Sequence, residues 1–176
     1  MTGASGTAAL VLAAGSSSRM GRPKALLEIG GRTLVLRAVD AACEAGLAPV
    51  IVVLGSDAAA VREALRGARA ALVENAAWAT GMASSIRCGI AALPGEAEAV
   101  VLLPCDQPAV SAELLARLVA LRRERGLPVA ACRYAGTLGC TVGGCFPVER
   151  TAAGYSGAAP NRGSAKRGVE VAQGGR

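Results

Sequence analysis

The chain has 176 residues, 52% of them hydrophobic and only 2% aromatic, which suits one α/β domain with a sizeable core better than a β-sandwich. It has no histidine, so Ser-His-Asp and Cys-His catalysis and His-ligated metal sites are excluded. The net charge of +6 is shared equally between residues 1–136 and 137–176, with no basic run interleaved with aromatics, which argues against a nucleic-acid surface.

Residues 7–13, TAALVLA, form a continuous apolar run, the pattern of a strand covered on both faces. A polar, Gly-rich stretch follows from Ala14 to Lys24, and Leu26 to Ile29 reads as a short extended piece turned by Gly30-Gly31. Thr33 opens a helical pattern to about Ala45, with Leu34, Leu36, Val39, Ala42 and Cys43 apolar and Gly46 as the stop. PVIVVLG (49–55) is a second buried strand, and Ser56 or Asp57 caps a helix to Leu65. Ala71 to Val73 is a third, weaker strand, and a helix from Met82 to Leu93 closes at Pro94-Gly95. AVVLLP (99–104) is the fourth strand. Ser111 caps a helix to about Arg125, with Glu113 in its first turn and Arg122, Arg123 and Arg125 complementing its dipole at the far end. Leu127 to Cys132 is a fifth strand.

Strands alternating with helices predict a mostly parallel sheet covered on both faces, a three-layer α/β/α architecture. Ligands in such sheets sit beyond the carboxyl ends of the strands, here after Ala13, Leu54, Val73 and Pro104. From Thr137 the pattern breaks, and bulky apolar residues become scarce. The expected organisation is a domain over 1–136 and a Gly/Ala/Arg-rich, disordered tail over 137–176.

Six cysteines, Cys43, Cys88, Cys105, Cys132, Cys140 and Cys145, show no C-x-x-C spacing and read as reduced, mostly buried thiols. No apolar run reaches the roughly 18–20 residues needed to span a bilayer. The first residues lack the basic start of a secretory signal, so a cytoplasmic protein with no membrane or nucleic-acid partner is expected.

Three segments carry candidate chemistry. In Leu12 to Lys24, Gly15 allows close backbone approach, Ser16, Ser17 and Ser18 offer hydroxyls and N–H groups, and Arg19 and Lys24 supply charge. That inventory can wrap a polyphosphate, or it can be an ordinary βα loop with solvated charges. It is neither a Walker A loop nor G-x-G-x-x-G. In LLPCDQPAVS, Asp106 lies just past a buried strand, between the stiffening Pro104 and Pro108. It is a hard oxygen ligand suited to Mg²⁺; the bland alternative is a helix cap, a job for which Ser111 is better placed. In ENAAWATGMASSIRCGI, Gly81 can open a helix whose first N–H groups face a ligand, with Ser84 and Ser85 in its first turn. Trp78 and Met82 read there equally well as core fillers.

The whole string L-A-A-G-x-S-x-R-M-G-x-P-K, Leu12, Ala13, Ala14, Gly15, Ser16, Ser17, Ser18, Arg19, Met20, Gly21, Arg22, Pro23, Lys24, resembles the N-terminal signature of the MobA-like nucleotidyltransferases. That family includes the molybdenum-cofactor guanylyl- and cytidylyltransferases, and the same signature occurs in sugar-1-phosphate nucleotidyltransferases. The resemblance implies a Rossmann-like nucleotidyltransferase sheet. It implies that the backbone of Leu12, Ala13, Ala14, Gly15 and Ser16 contacts the nucleotide. Lys24 and Arg19 would then neutralise phosphates, and Asp106, in L-P-C-D-Q-P, would hold the catalytic Mg²⁺. Ala14-Gly15 resembles the cytidylyl branch, as does N-x-x-W-x-x-G-M-x-x-S, whose Asn75, Gly81, Ser84 and Ser85 line the nucleotide site by the same resemblance.

The implied activity is Mg²⁺-dependent transfer of a nucleotidyl group from a nucleoside triphosphate, CTP by preference, to a small phosphate-bearing acceptor, with release of pyrophosphate. The preferred acceptor is a molybdopterin-type molybdenum cofactor, and a sugar phosphate is the runner-up. The resemblance covers about residues 7–136. The later G-x-P-x-x-F and G-D-x-G-A-[RK] patterns of the family are missing, as after a reading-frame shift near residue 139 or in a truncated paralogue. Either event leaves a nucleotide-binding module without turnover as the alternative.

Overall fold

A computed structural model of the chain describes residues 6–16, 21–127, 129–134, 137–138, 144–148 and 169–173. The first half runs β1 (Thr7–Ala13), a 3-10 turn (Lys24–Leu26), β2 (Glu28–Ile29), β3 (Arg32–Thr33), α1 (Leu34–Glu44), β4 (Val50–Leu54), α2 (Ala58–Ala64) and β5 (Ala71–Glu74). A second 3-10 turn (Trp78–Thr80) leads into α3 (Met82–Ala91), β6 (Ala99–Pro104), α4 (Ala112–Glu124) and β7 (Val129–Tyr134). Three further strands follow, β8 (Thr137–Leu138), β9 (Gly144–Pro147) and β10 (Val169–Gln173).

The central sheet has the order β10-β7-β9-β6-β1-β4-β5, with β8 paired to β7. β1 lies between β4 and β6 and is parallel to both, with Ala13 opposite Leu54 and Leu12 opposite Pro104. The carboxyl ends of these three strands therefore finish level, which is where an α/β sheet offers a crevice.

Successive residues of β1 serve opposite faces, as the pleat requires. Ala9, Val11 and Ala13 pack with Val35 and Val39 of α1, Val61 of α2 and Leu115 and Val119 of α4. Leu10 and Ala14 pack with Ile86 and Ile90 of α3 on the other face. The result is the mostly parallel α/β/α architecture that the apolar runs imply. Two helix starts are fixed by side chains: Thr33 Oγ1 accepts from Leu36 N at 3.4 Å, and Ser111 Oγ accepts from Leu114 N at 3.2 Å. Among the described residues, no helix is long and apolar enough to cross a membrane.

The structure revises several local expectations. Leu26 is the end of a 3-10 turn rather than the start of an extended piece, and Glu28–Ile29 pairs with Arg32–Thr33 as a small separate hairpin. Asp57 occupies the cap position of α2 without a side-chain capping bond. Of the three cysteines whose side chains are described, Cys43 and Cys88 are half-buried and Cys105 is buried. The largest revision concerns residues 137–176. Within the segment expected to be a disordered tail, Thr137–Leu138, Gly144–Pro147 and Val169–Gln173 are strands of the central sheet. β9 sits between β6 and β7 and is antiparallel to both, while β10 is parallel to β7. Composition gauges side-chain burial, whereas a ladder is made by backbone N–H and C=O groups that small residues supply equally well. The remaining residues of that segment lie outside the described ones.

Candidate active site

A cleft of about 390 Å³ opens at the carboxyl ends of β1 and β6. Its floor is the end of β1 and the turn beyond it, Leu12, Ala13, Ala14, Gly15 and Ser16. One wall carries Lys24 and Ala25, the second Pro104, Cys105 and Asp106, and the third Trp78, Ala79, Gly81, Met82 and Ser85.

Each wall is fixed locally. Pro23 precedes the 3-10 turn, and Leu26 N and Leu27 N close back onto Pro23 O and Lys24 O at 3.0 and 3.1 Å, which sets the backbone from which Lys24 projects. Cys105 N donates to Leu12 O at 3.2 Å, extending the β1–β6 pairing by one step and aiming the next residue, Asp106, across the cleft. Lys24 Nζ lies 3.7 Å from Asp106 Oδ2, with the two side chains 50% and 41% exposed. Both charges remain in contact with solvent, so the pair can open to admit ligands at little cost. Cys105 is different. Burial, and then the neighbouring Asp106 carboxylate, push its thiol up to about 12, so it is a neutral, compact wall element.

The third wall hangs on Asn75, which is 5% exposed. Its Nδ2 donates to Ser84 Oγ at 2.9 Å and Ser85 Oγ at 3.1 Å, and its Oδ1 accepts from Ala77 N at 3.0 Å. Ser84 Oγ lies 2.8 Å from Gly81 O and 3.0 Å from Ala77 O. Every polar atom of the Asn75 amide is thus committed within the protein. Gly81, at φ +110, adopts a backbone shape that side chains disfavour, and it starts α3 with that helix's N-terminal end at the cleft.

Of the residues expected from sequence, Leu12, Ala13, Ala14, Gly15, Ser16, Lys24, Gly81, Ser85 and Asp106 come together around one cleft. Asn75 and Ser84 are not among its lining residues; they brace the wall from behind. Arg19 lies outside the described residues. Cys105, Trp78 and Met82 also line the cleft, beyond the residues that the motifs single out. Cys105 was signalled by its place between the last strand residue and Asp106. Trp78, the sole tryptophan, stands in a stretch of small residues, and Met82 is 49% exposed at the lip, which is unusual for a core filler.

The arrangement can hold a phosphate chain beside Lys24 and a cation beside Asp106. Among the described residues no cluster of three or more His, Cys, Asp or Glu can hold a metal alone. Asp106 would therefore supply one oxygen to a divalent ion whose other ligands are phosphate oxygens and water, the usual mode for Mg²⁺. The donor set fits such an ion.

Residues 9–167 match the MobA-like NTP transferase domain. The bifunctional protein GlmU of Pelobacter propionicus is 37% identical over 124 residues, 69% of this chain and 27% of GlmU. The nicotine blue oxidoreductase of Paenarthrobacter nicotinovorans is 39% identical over 115 residues, 65% of this chain and 56% of that protein. The chain thus spans about a quarter to just over half the length of these relatives. Among solved structures, Rv0371c of Mycobacterium tuberculosis superposes with a TM-score of 0.76 at 27% identity, covering 97% of this chain and 90% of that one. The same mycobacterial protein has been solved in complex with manganese. The family match runs through the β6–β9–β7 region, well past residue 136, and agrees with the α/β sheet and with the cleft at its carboxyl edge. This chain belongs to the family of MobA-like NTP transferase domains.

Proposed function

We propose that the protein is a Mg²⁺-dependent cytoplasmic nucleotidyltransferase, with CTP as preferred donor and a molybdopterin-type molybdenum cofactor as preferred acceptor. The observation that carries this reading is the facing of Lys24 and Asp106 at 3.7 Å over the end of β1. A cation and a carboxylate on opposite walls are what a metal-bound triphosphate separates and satisfies, each by its own charge.

In the reaction, a phosphate oxygen of the acceptor attacks the α-phosphorus, one P–O bond forms, and the bond between the α-phosphorus and the bridging oxygen breaks. Pyrophosphate leaves with the electron pair. The backbone of Ala13, Ala14 and Gly15 orients the nucleotide, Lys24 binds a phosphate oxygen, and Asp106 anchors the metal side of the triphosphate. Arg19 is assigned to the phosphates by its place in the sequence motif. When bound, Mg²⁺ supplies neutralisation of charge on the reacting phosphate. No covalent intermediate and no histidine are needed, because the protein contributes positioning and electrostatics. Trp78 and Met82 give one wall an apolar surface suited to a planar ring.

The test is pyrophosphate release with each of CTP, GTP, ATP and UTP, with Mg²⁺, against molybdopterin-type and sugar-phosphate acceptors. Release that requires both CTP and the pterin acceptor supports the reading in full. Release with a sugar phosphate alone changes the acceptor, and nucleotide binding without release in any combination replaces the enzyme by a binding module.

A further inference from the structure

Gly55, the residue just past β4, belongs to none of the cleft walls and to none of the motifs above. It is buried, and a Cβ built on it would lie 2.3 Å from the carbonyl oxygen of Ala14, 2.7 Å from Ala14 Cα and 2.8 Å from Ala14 C. These are backbone atoms, so no side-chain rotation relieves the overlap. The glycines within the cleft segments behave otherwise: a Cβ on Gly15, Gly21 or Gly81 meets nothing within 4 Å.

Gly55 cannot easily retreat. Its carbonyl accepts from Ala58 N at 3.2 Å, which ties it to the start of α2. The preceding residue, Leu54, is paired with Ala13 on one side and Glu74 on the other. Ala14, in turn, has the cleft on its other side. Ser56 adds a second contact, its Oγ 3.5 Å from Gly15 O, although its proton is better placed for Asp57 Oδ2 at 2.8 Å.

We infer that Gly55 is a positioning residue for nucleotide binding: its missing side chain lets the backbone of Ala14 and Gly15 sit back against β4 and so sets the height of the cleft floor. The inference rests on the proposed nucleotide site. A methyl group here pushes Ala14 toward the ligand, and displacements of that size in a binding site are costly, with about tenfold weaker nucleotide binding as the expected scale.

The experiment compares Gly55→Ala with Leu118→Ala, a cavity-forming change in α4 away from the cleft, both checked for thermal destabilisation. Calorimetry uses whichever of CTP, GTP, ATP and UTP binds the wild-type chain tightest, with Mg²⁺, and amide NMR spectra are recorded in parallel. Gly55→Ala is expected to weaken binding about tenfold and to shift the amides of Ala14, Gly15 and Ser16, while Leu118→Ala leaves affinity and those amides as in the wild type. Equal affinities for Gly55→Ala and wild type, or equal weakening by both variants, overturns the inference. The wild-type chain gives a reading that needs no substitution: nucleotide should shift the Gly55 amide although Gly55 does not line the cleft, and a silent Gly55 overturns the inference. Wild-type binding of none of the four nucleotides overturns the functional reading itself, and the inference with it.

Discussion

Lys24 and Asp106, 82 residues apart in sequence, reach toward each other across the cleft, and their charged atoms stand 3.7 Å apart. The pair exists because the β1 and β6 strands are adjacent and end level, so the two loops that follow them share one space.

Lys24→Met should leave the fold intact and weaken nucleoside triphosphate binding. An exposed ion pair contributes only about 0–1 kcal/mol to stability. A charge-assisted bond to phosphate is worth about 1.5–3 kcal/mol, or roughly ten- to a hundredfold in affinity. Isothermal titration together with a thermal melt checks both halves. Unchanged affinity would remove Lys24 from the phosphate site.

Asn75→Ala should act on stability before chemistry. The substitution takes the acceptor from Ala77 N and a donor from Ser84 Oγ and Ser85 Oγ, while Ser84 Oγ keeps Gly81 O and Ala77 O within hydrogen-bond reach. Leaving such groups unsatisfied costs about 1–3 kcal/mol. Urea unfolding should show a lower midpoint with an unchanged slope, and a normal midpoint would contradict the bracing role.

Cys105 should resist alkylation at pH 8 in the folded protein, because its thiol is held neutral to about 12. The linkage has a definite sign. The folded state keeps this proton when the unfolded state, at the ordinary value of 9.0, has lost it. Its contribution to stability is therefore complete below pH 9 and is lost as pH rises toward 12, with a limiting slope of about 1.4 kcal/mol per pH unit. Denaturation midpoints from pH 8 to 10.5 should fall less steeply in Cys105→Ala than in the wild type. Identical pH profiles would contradict the burial of this thiol.

Much of this was legible in the sequence because it rests on local rules. Short apolar runs such as TAALVLA and AVVLLP, bounded by polar and Gly-rich stretches, read as strands covered on both sides, and the loops that follow them carry Gly15, Lys24 and Asp106 at one edge. What local rules do not encode is which strand lies beside which. The insertion of β9 between β6 and β7 depends on backbone pairing between distant segments, and Gly144–Pro147 carries no periodic pattern that announces it. The division of labour within one motif is equally hidden. Asn75, Ser84 and Ser85 look alike as polar site residues, yet of the three Ser85 alone lines the cleft, because the Asn75 amide is turned inward to serve the loop. Cys105 and Trp78 each carry a local signal, but that they face one cleft follows from the way three loops meet.

The most direct test of the central claim is Mg²⁺-dependent pyrophosphate release by Asp106→Asn. The amide keeps the shape of the side chain but lacks the charge that a hard divalent ion needs, and loss of such metal-mediated stabilisation costs several kcal/mol in the transition state. The account predicts native circular dichroism with turnover reduced at least about a hundredfold and an increased Mg²⁺ requirement. Wild-type rates of release by Asp106→Asn at ordinary Mg²⁺ would contradict it.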